Sequence, residues 1–240
     1  EILIGLVGSE MCIRDRTTIV SNLKDDGYTC IAMHPYYETG WSRNLVYPHI
    51  GFDEMHFIDY FDQTKILREY ITDQELYDKI IKRYENRKNN EKLFFMGITM
   101  QNHGGYTETY DNFPENYYKV GRSYTDANQY LSLVHESDEA VKNLISYFSK
   151  VDDPVEIIFF GDHQPSLNSN FYPILNGKGL TGLTEDELEK LYTVPFFIWT
   201  NYDTPEETVD ITSLDYLSTM ALERAGIELP AYNKFLADMQ

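Results

Sequence analysis

The sequence predicts an α/β domain with a mostly parallel central sheet flanked by helices. Four apolar runs have the length and composition of buried strands: residues 28–33, 93–100, 155–160 and 194–200. Stretches with helical periodicity lie between these runs along the chain. Alternation of strand and helix is typical of βαβ units, in which consecutive strands run parallel, so the sheet is expected to be largely parallel.

The helices are predicted from apolar spacing and from end signals. The first ends at Asp26, just before a glycine, and the last precedes Gly226. Residues 73–87 form an amphipathic, charge-rich helix, residues 126–150 carry one apolar stripe, and residues 185–191 form a short acidic helix. These helices separate the strands, as the α/β class requires.

Two polar residues, Ser137 and Asp138, interrupt the apolar stripe of the helix at residues 126–150. Because buried polar groups are nearly always hydrogen-bonded, we expect the pair to bond nearby backbone or a neighbouring helix. A catalytic role for Asp138 is the alternative.

Asp162 and His163 directly follow the apolar run at residues 155–160, in the sequence Gly-Asp-His. The carboxyl end of a buried strand is where open α/β sheets place their chemistry. A carboxylate oxygen beside an imidazole suits a divalent cation such as Mn²⁺, Mg²⁺ or Zn²⁺. Gly-Asp is also common in ordinary turns, so the pair alone leaves both readings open.

Two other predicted strands also end in a histidine. The run at residues 93–100 is followed by His103 and two glycines, at the start of a long loop that we expect to border an active site. The run at residues 28–33 is followed by His34, with Trp41 and Arg43 in the next loop. An arginine offers a planar fork for a phosphate group, although each residue taken singly also fits an ordinary loop position.

This series resembles the extracellular catalytic domain of lipoteichoic acid synthase and related sulfatase-like phosphoglycerol transferases of the alkaline phosphatase superfamily. The residues that carry the resemblance keep the family's order: His34, Trp41, Arg43, Asn102, His103, Gly161, Asp162 and His163. The resemblance runs from about Thr17 to the C-terminus. It implies transfer of glycerophosphate from phosphatidylglycerol to a cell-envelope polymer such as lipoteichoic acid.

The resemblance also implies roles for individual residues. Asp162 and His163 would be metal ligands, with Mn²⁺ expected ahead of Mg²⁺ or Zn²⁺. Four residues would bind the glycerophosphate group: His34, Trp41, Arg43 and His103. His103 could also act as a general acid. The chain departs from the family just after His34, where it has Pro35, Tyr36 and Tyr37 in place of polar residues.

Part of the family's active site would lie before the segment that matches the family. Its nucleophilic Thr and an earlier metal-binding Glu belong upstream of Thr17, while Thr17 and Thr18 are predicted to open the first helix. We therefore expect residues 17–240 to be a partial catalytic domain that is incomplete at its N-terminus and inactive alone. In the intact protein, transmembrane helices would precede it and hold it, as a monomer, on the extracellular side of a Gram-positive type cell membrane.

The first sixteen residues have a different origin in our interpretation. Residues 6–16, LVGSEMCIRDR, resemble the conceptual translation of a widely used transposase sequencing adapter. A nucleotide-binding turn is the other interpretation of this segment, but the segment lacks the full Gly-x-Gly-x-x-Gly pattern. We therefore interpret residues 1–16 as non-native and exclude them from the fold.

Composition excludes several classes of protein. A net charge of −19 and a pI of about 4.6 argue against nucleic-acid binding, because no basic stripe is present to displace counterions. No apolar run approaches the length of roughly 18 to 20 residues that crosses a bilayer. Only Cys12 and Cys30 occur, which excludes a disulfide framework.

Other functions fit the same motifs. A phosphoethanolamine transferase, a phosphatase or a sulfatase would share the sheet and the metal pair. A wall-polymer-binding domain without catalysis is a second alternative, and a cytosolic metal-dependent isomerase or mutase of the same superfamily is a third.

Overall fold

The computed structural model describes residues 18–113 and 124–239. Two compact units divide the chain, Glu1–Leu144 and Ile145–Gln240. The segment that we attribute to an adapter lies outside the described residues, as do residues 114–123 of the loop after His103. Within the described ranges, no helix combines the length and the apolar character needed to cross a membrane.

The first unit contains the parallel sheet. Its elements in chain order are α1 (Ile19–Asp25), β1 (Tyr28–Met33), α2 (Arg43–Ile50), β2 (Glu54–His56), β3 (Ile66–Leu67), β4 (Tyr70–Ile71), α3 (Asp73–Glu85), β5 (Lys92–Gly97) and α4 (Thr125–Phe148), with 3₁₀ turns at Gly40–Ser42 and Ile58–Tyr60. Helix α4 continues past the boundary between the units.

Thr18 opens helix α1 as its N-cap. The Ser21 amide donates to Thr18 Oγ1 at 3.1 Å, and the Thr18 amide donates to Ser21 Oγ at 2.8 Å, which forms a capping box. The predicted helical setting of Thr18 is therefore confirmed. After the helix, Gly27 adopts a φ of 83°, a conformation that favours glycine, and leads directly into β1.

Strand β1 lies between β2 and β5, and both pairings are parallel. Residues 30–33 of β1 are each at most 2% exposed, as expected for a central strand covered on both faces. Helix α3 packs close to the end of β5, where a Cβ added at Gly97 would lie 3.3 Å from Ile80 Cδ1. The α/β class with a parallel sheet is confirmed, and β5 ends three residues before the predicted Met100.

The second unit contains a two-stranded antiparallel sheet. Its elements are β6 (Glu156–Phe160), α5 (Tyr172–Asn176), α6 (Glu185–Glu189), β7 (Phe196–Thr200), α7 (Leu214–Arg224) and α8 (Ala231–Ala237). Glu156 pairs with Thr200 and Phe160 pairs with Phe196. Both strands were predicted, but their antiparallel pairing was not, because an apolar run does not encode the direction of its neighbour.

Candidate functional site

His34 follows β1 and is almost completely buried, with 1% of its surface exposed. Its Nδ1 lies 2.8 Å from the carbonyl oxygen of Ile98, the residue after β5. Since a carbonyl oxygen only accepts, Nδ1 must carry the ring proton and Nε2 must be an acceptor. Burial lowers the pKa of His34 to about 4, so the ring is neutral near pH 7.

The other ring nitrogen of His34, Nε2, indicates what kind of ligand group the site could bind. Among the residues that the structure describes, Nε2 is buried and has no hydrogen-bond partner. A buried acceptor without a donor is costly, and such exceptions in proteins call for a physical explanation. A ligand group that donates a hydrogen bond would satisfy it.

Trp41 connects His34 to His103. Its ring centroid lies 6.0 Å from that of His34 and 5.9 Å from that of His103, with an edge-on geometry in both cases. Trp41 and Ser42 have φ values of 52° and 56°, a left-handed conformation that is costly for residues other than glycine. Strain of this kind at consecutive residues is typical of functional sites and supports a binding role here.

Arg43 begins helix α2 and lies over the Trp41 ring, with Cζ 4.4 Å from the ring centroid. Its Nε donates to the Tyr47 hydroxyl at 3.0 Å, and its Nη1 donates to the Gly40 carbonyl oxygen at 3.3 Å. The guanidinium is therefore held in place by neutral groups and keeps its positive charge for an anion. This arrangement is suited to binding a phosphoryl group.

The hairpin formed by β3 and β4 contacts the loop that carries His103. The Tyr70 hydroxyl lies 3.2 Å from His103 Nδ1. Arg68 donates from Nη2 to the carbonyl oxygens of Gln101 at 2.9 Å and His103 at 2.8 Å, and from Nη1 to that of Gly105 at 3.3 Å. Sequence reasoning missed both Arg68 and Tyr70, because this hairpin lacks the Asn-Gly or Asp-Gly turn that marks most two-residue hairpins.

A buried polar network lies behind the same loop. Ser137 Oγ donates to Asp73 Oδ2 at 2.5 Å and accepts from Asn102 Nδ2 at 2.8 Å. The Asp73 amide donates to Gln101 Oε1 at 3.1 Å. Burial raises the pKa of Asp73 to about 6. The predicted partners of Ser137 are thus found on neighbouring elements, whereas Asp138 is exposed.

Asp162 and His163 lie in the second unit, directly after β6. Their side chains are 84% and 78% exposed, and His163 Nε2 lies 3.5 Å from Asp162 Oδ2. His163 Nδ1 lies 2.9 Å from the Gln164 carbonyl oxygen. A Cβ added at Gly161 would lie 3.1 Å from Val194 Cβ, which explains the glycine before the pair.

The donor chemistry of this pair fits a divalent cation in part. A carboxylate oxygen and an imidazole nitrogen are suitable ligands, but the described residues contain no group of three His, Cys, Asp or Glu side chains that could hold an ion. That the pair supplies two ligands of a metal site stays a prediction. That it shares one site with His34 and His103 stays a prediction.

Comparison with known proteins identifies the family. A family model described as Sulfatase matches residues 12–227. The chain belongs to the sulfatase family. This result confirms the superfamily indicated by the motifs, while the origin of residues 1–16 stays a prediction.

The names of several relatives refer to glucan modification, capsular polysaccharide biosynthesis or lipoteichoic acid synthesis. A Rhizobium meliloti (strain 1021) protein, named for a proposed part in cyclic beta-1,2-glucan modification, is 27% identical over 91% of this chain and 35% of its own length. The capsular polysaccharide biosynthesis protein RkpI of the same strain is 33% identical over 61% of this chain and 26% of its own. The lipoteichoic acid synthase of Staphylococcus saprophyticus is 30% identical over 58% of this chain and 22% of its own.

Solved structures share the fold of this chain. The Streptococcus pyogenes phosphoglycerol transferase GacH, in complex with sn-glycerol-1-phosphate, has a TM-score of 0.68 at 21% identity and covers 88% of this chain and 53% of its own. The lipoteichoic acid synthase LtaP of Listeria monocytogenes has a TM-score of 0.64 at 21% identity and covers 79% and 48%. The chain thus spans about half of these structures and about a third or less of the curated relatives above.

Proposed function

We propose that the cluster of His34, Trp41, Arg43 and His103 binds the glycerophosphate group in a phosphoglycerol transferase. The observation that carries this proposal is the buried Nε2 of His34, an acceptor with no partner among the described residues. The His34 ring contacts the Trp41 ring edge-on, and the Arg43 guanidinium lies over the same Trp41 ring. A phosphodiester offers no hydrogen-bond donor near neutral pH, but glycerol offers hydroxyl groups. His34 would accept from such a hydroxyl while Arg43 faces the phosphoryl oxygens.

The relatives support this choice of ligand. Their names include lipoteichoic acid synthases and a phosphoglycerol transferase solved with sn-glycerol-1-phosphate. The donor in our proposal is phosphatidylglycerol at the outer surface of a Gram-positive type cell membrane. The acceptor is a glycerophosphate polymer or a related envelope glycan.

The chemical step would be phosphoryl-group transfer in two stages. An enzyme hydroxyl would form a bond to phosphorus while the bond to the diacylglycerol oxygen breaks, and an acceptor hydroxyl would then displace the enzyme oxygen. Arg43 would stabilise the charge on the phosphoryl oxygens. The proton lost by the enzyme hydroxyl would pass to the leaving oxygen, to which His103 would donate a hydrogen bond. A divalent cation, expected to be Mn²⁺, would act as a Lewis acid when bound, and Asp162 and His163 would supply two of its ligands.

A phosphoethanolamine headgroup fits the same pocket less well. Its ammonium group could also donate to His34 Nε2. That ammonium would then lie near Arg43, whose charge already acts on His34 and lowers its pKa. Like charges this close repel each other, so the neutral glycerol headgroup is favoured.

Binding assays on paired ligands test the proposal. Calorimetric titration of the 240-residue chain would compare sn-glycerol-1-phosphate, phosphoethanolamine and inorganic phosphate. The variant His34→Asn keeps a donor for the Ile98 carbonyl but loses the Nε2 acceptor, so we expect it to lose the preference for sn-glycerol-1-phosphate. Arg43→Gln should weaken binding of all three, by about 10-fold or more, because a charge-assisted hydrogen bond is lost.

The matched controls are His49→Asn and Arg87→Gln, which replace the same residue types on other helices or loops of the first unit. Both should bind like the unmodified chain. Equal affinity of the unmodified chain for inorganic phosphate and sn-glycerol-1-phosphate would contradict the role given to His34.

A further inference from the structure

We propose that the β3–β4 hairpin is a positioning element for His103, with Arg68 fixing the backbone of its loop and Tyr70 fixing the tautomer of its ring. This inference rests on the proposed function, because it gives His103 a defined hydrogen-bonding role toward the phosphoryl group.

Arg68 has the geometry of a backbone clamp. It sits at the hairpin turn with a φ of 56°, and only 5% of its surface is exposed. Its two Nη atoms bridge the carbonyl oxygens of Gln101, His103 and Gly105, and Nη1 also donates to Gln129 Oε1 at 3.1 Å. The planar fork of an arginine can hold several acceptors at fixed angles, which the single ammonium of a lysine cannot do.

The loop that carries His103 also bonds the hairpin through Asn112. Asn112 Nδ2 donates to the carbonyl oxygen of Arg68 at 3.1 Å and lies 3.4 Å from that of Ile66. The Arg68 guanidinium also lies within 6.0 Å of the ring centroids of Tyr70, Tyr106 and Tyr110. These contacts bond the hairpin to several points of the loop, so the hairpin and the His103 backbone are held together, and the Arg68 bond to Gln129 joins both to helix α4.

Tyr70 acts on the imidazole ring. Its ring centroid lies 5.6 Å from that of His103, and its hydroxyl lies 3.2 Å from Nδ1. A phenol hydroxyl can donate to an imidazole nitrogen or accept from it, and the role inferred for Tyr70 has it donate to Nδ1. The ring proton of His103 is then on Nε2, the opposite tautomer to that of His34.

Opposite tautomers make the two histidines complementary to one ligand. His34 presents an acceptor nitrogen, while His103 presents an N–H donor, and both rings contact Trp41 edge-on. A glycerophosphate group carries a hydroxyl donor next to phosphoryl acceptors. The hairpin would therefore determine which end of the ligand each histidine recognises.

Nitrogen-15 spectra of the histidine rings test this inference directly. In the ligand-free 240-residue chain, His103 is expected to be mainly in the Nε2–H form. Tyr70→Phe removes only the hydroxyl and should yield a mixture of tautomers, with affinity for sn-glycerol-1-phosphate reduced about 2- to 10-fold. Arg68→Lys should reduce the affinity further if it folds. Tyr192→Phe and Arg87→Lys are the matched controls and should change neither quantity.

The outcomes separate this inference from the proposed function. If Tyr70→Phe leaves both the His103 tautomer and the affinity unchanged while the unmodified chain binds the ligand, the positioning role is wrong and the proposed function stands. If the tautomer changes but the unmodified chain does not bind sn-glycerol-1-phosphate, the hairpin positions His103 and the proposed function is wrong.

Discussion

The two histidine-bearing regions of this chain differ in how they are held. In the first unit, His34 is bonded to the Ile98 carbonyl, and the backbone of His103 is held by Arg68. In the second unit, His163 contacts its sequence neighbours Asp162 and Gln164, and its side chain is 78% exposed. The side chains of the first region depend on contacts between distant residues, whereas those of Asp162 and His163 make only local contacts among the described residues.

This difference indicates how each region would work. The first has its donors and acceptors positioned before any ligand arrives, which lowers the cost of ordering them on binding. The second presents two metal-type ligands that are not fixed by distant partners among the described residues. We therefore expect substitutions to affect stability strongly in the first region and weakly in the second.

The largest expected effect is on stability and comes from Arg68→Ala. The substitution removes the Arg68 donor from a buried bond to the Gln101 carbonyl oxygen, from part-buried bonds to those of His103 and Gly105, and from a buried bond to Gln129 Oε1, so the free energy of unfolding should fall by about 3 kcal/mol or more. Asp162→Ala, the control in the exposed region, should change it by no more than about 0.5 kcal/mol. Chemical denaturation of both variants measures the two changes in the free energy of unfolding. Equal changes would show that the two regions do not differ in how firmly they are held.

Asp73→Asn tests the buried network by its pH dependence. The folded-state pKa of Asp73 is raised from 3.8 to about 6, so its favourable contribution is complete below pH 3.8 and is lost as the pH rises through 6. Between pH 5 and pH 8, the free energy of unfolding of the unmodified chain should therefore fall by about 1.4 kcal/mol relative to Asp73→Asn. Denaturation curves at both pH values check the sign. A difference that does not vary with pH would show that the carboxyl group titrates normally.

Relief of strain in the turn at Trp41 and Ser42 should have a smaller effect on stability. Ser42 has a φ of 56°, whereas Ser213, the N-cap of α7, has a φ of −86°. A glycine at either position costs the same entropy in the unfolded chain, but only Ser42→Gly relieves left-handed strain. The two substitutions should differ in stability by about 1 kcal/mol, in favour of Ser42→Gly. Thermal unfolding of the pair measures this, and the opposite order would show that the turn is not strained.

Metal ions should have the smallest effect on the first region. EDTA is expected to leave the affinity of this chain for sn-glycerol-1-phosphate unchanged, because two protein ligands would hold a cation too weakly for it to contribute to binding. Mn²⁺ should bind this chain more weakly than micromolar, since two ligands are fewer than the four of a usual site, and His163→Ala should abolish that binding. Calorimetry checks both points. A submicromolar dissociation constant for Mn²⁺ would show that the ligand set is larger than we infer.

Much of the first unit could be predicted from strand ends. The apolar runs before His34 and His103 predict parallel neighbours, and parallel strands bring their carboxyl ends to one edge, where the structure places both residues next to Trp41. Their role in binding a ligand stays a prediction. The sequence predicted that Ser137 would be hydrogen-bonded, but it could not identify the partners.

Other features could not be predicted, because they depend on contacts distant in sequence. Arg68 looks like an ordinary surface charge in the sequence, yet it is 5% exposed and bonded to residues more than thirty positions away. The proposed role of Tyr70 likewise depends on its contact with His103, which the sequence does not show. The antiparallel pairing of β6 with β7 depends on the direction of the two strands, which an apolar run does not reveal.

The sequence by itself determined which residues have the chemistry of a phosphoryl-binding site, since residue types and strand-end positions are local properties. Only the tertiary structure decided how those residues are presented: His34 neutral with a free acceptor nitrogen among the described residues, and His103 held by a hairpin. The physical reason is that burial and hydrogen bonding between distant segments set protonation, tautomer and orientation. None of these is a property of a residue taken alone.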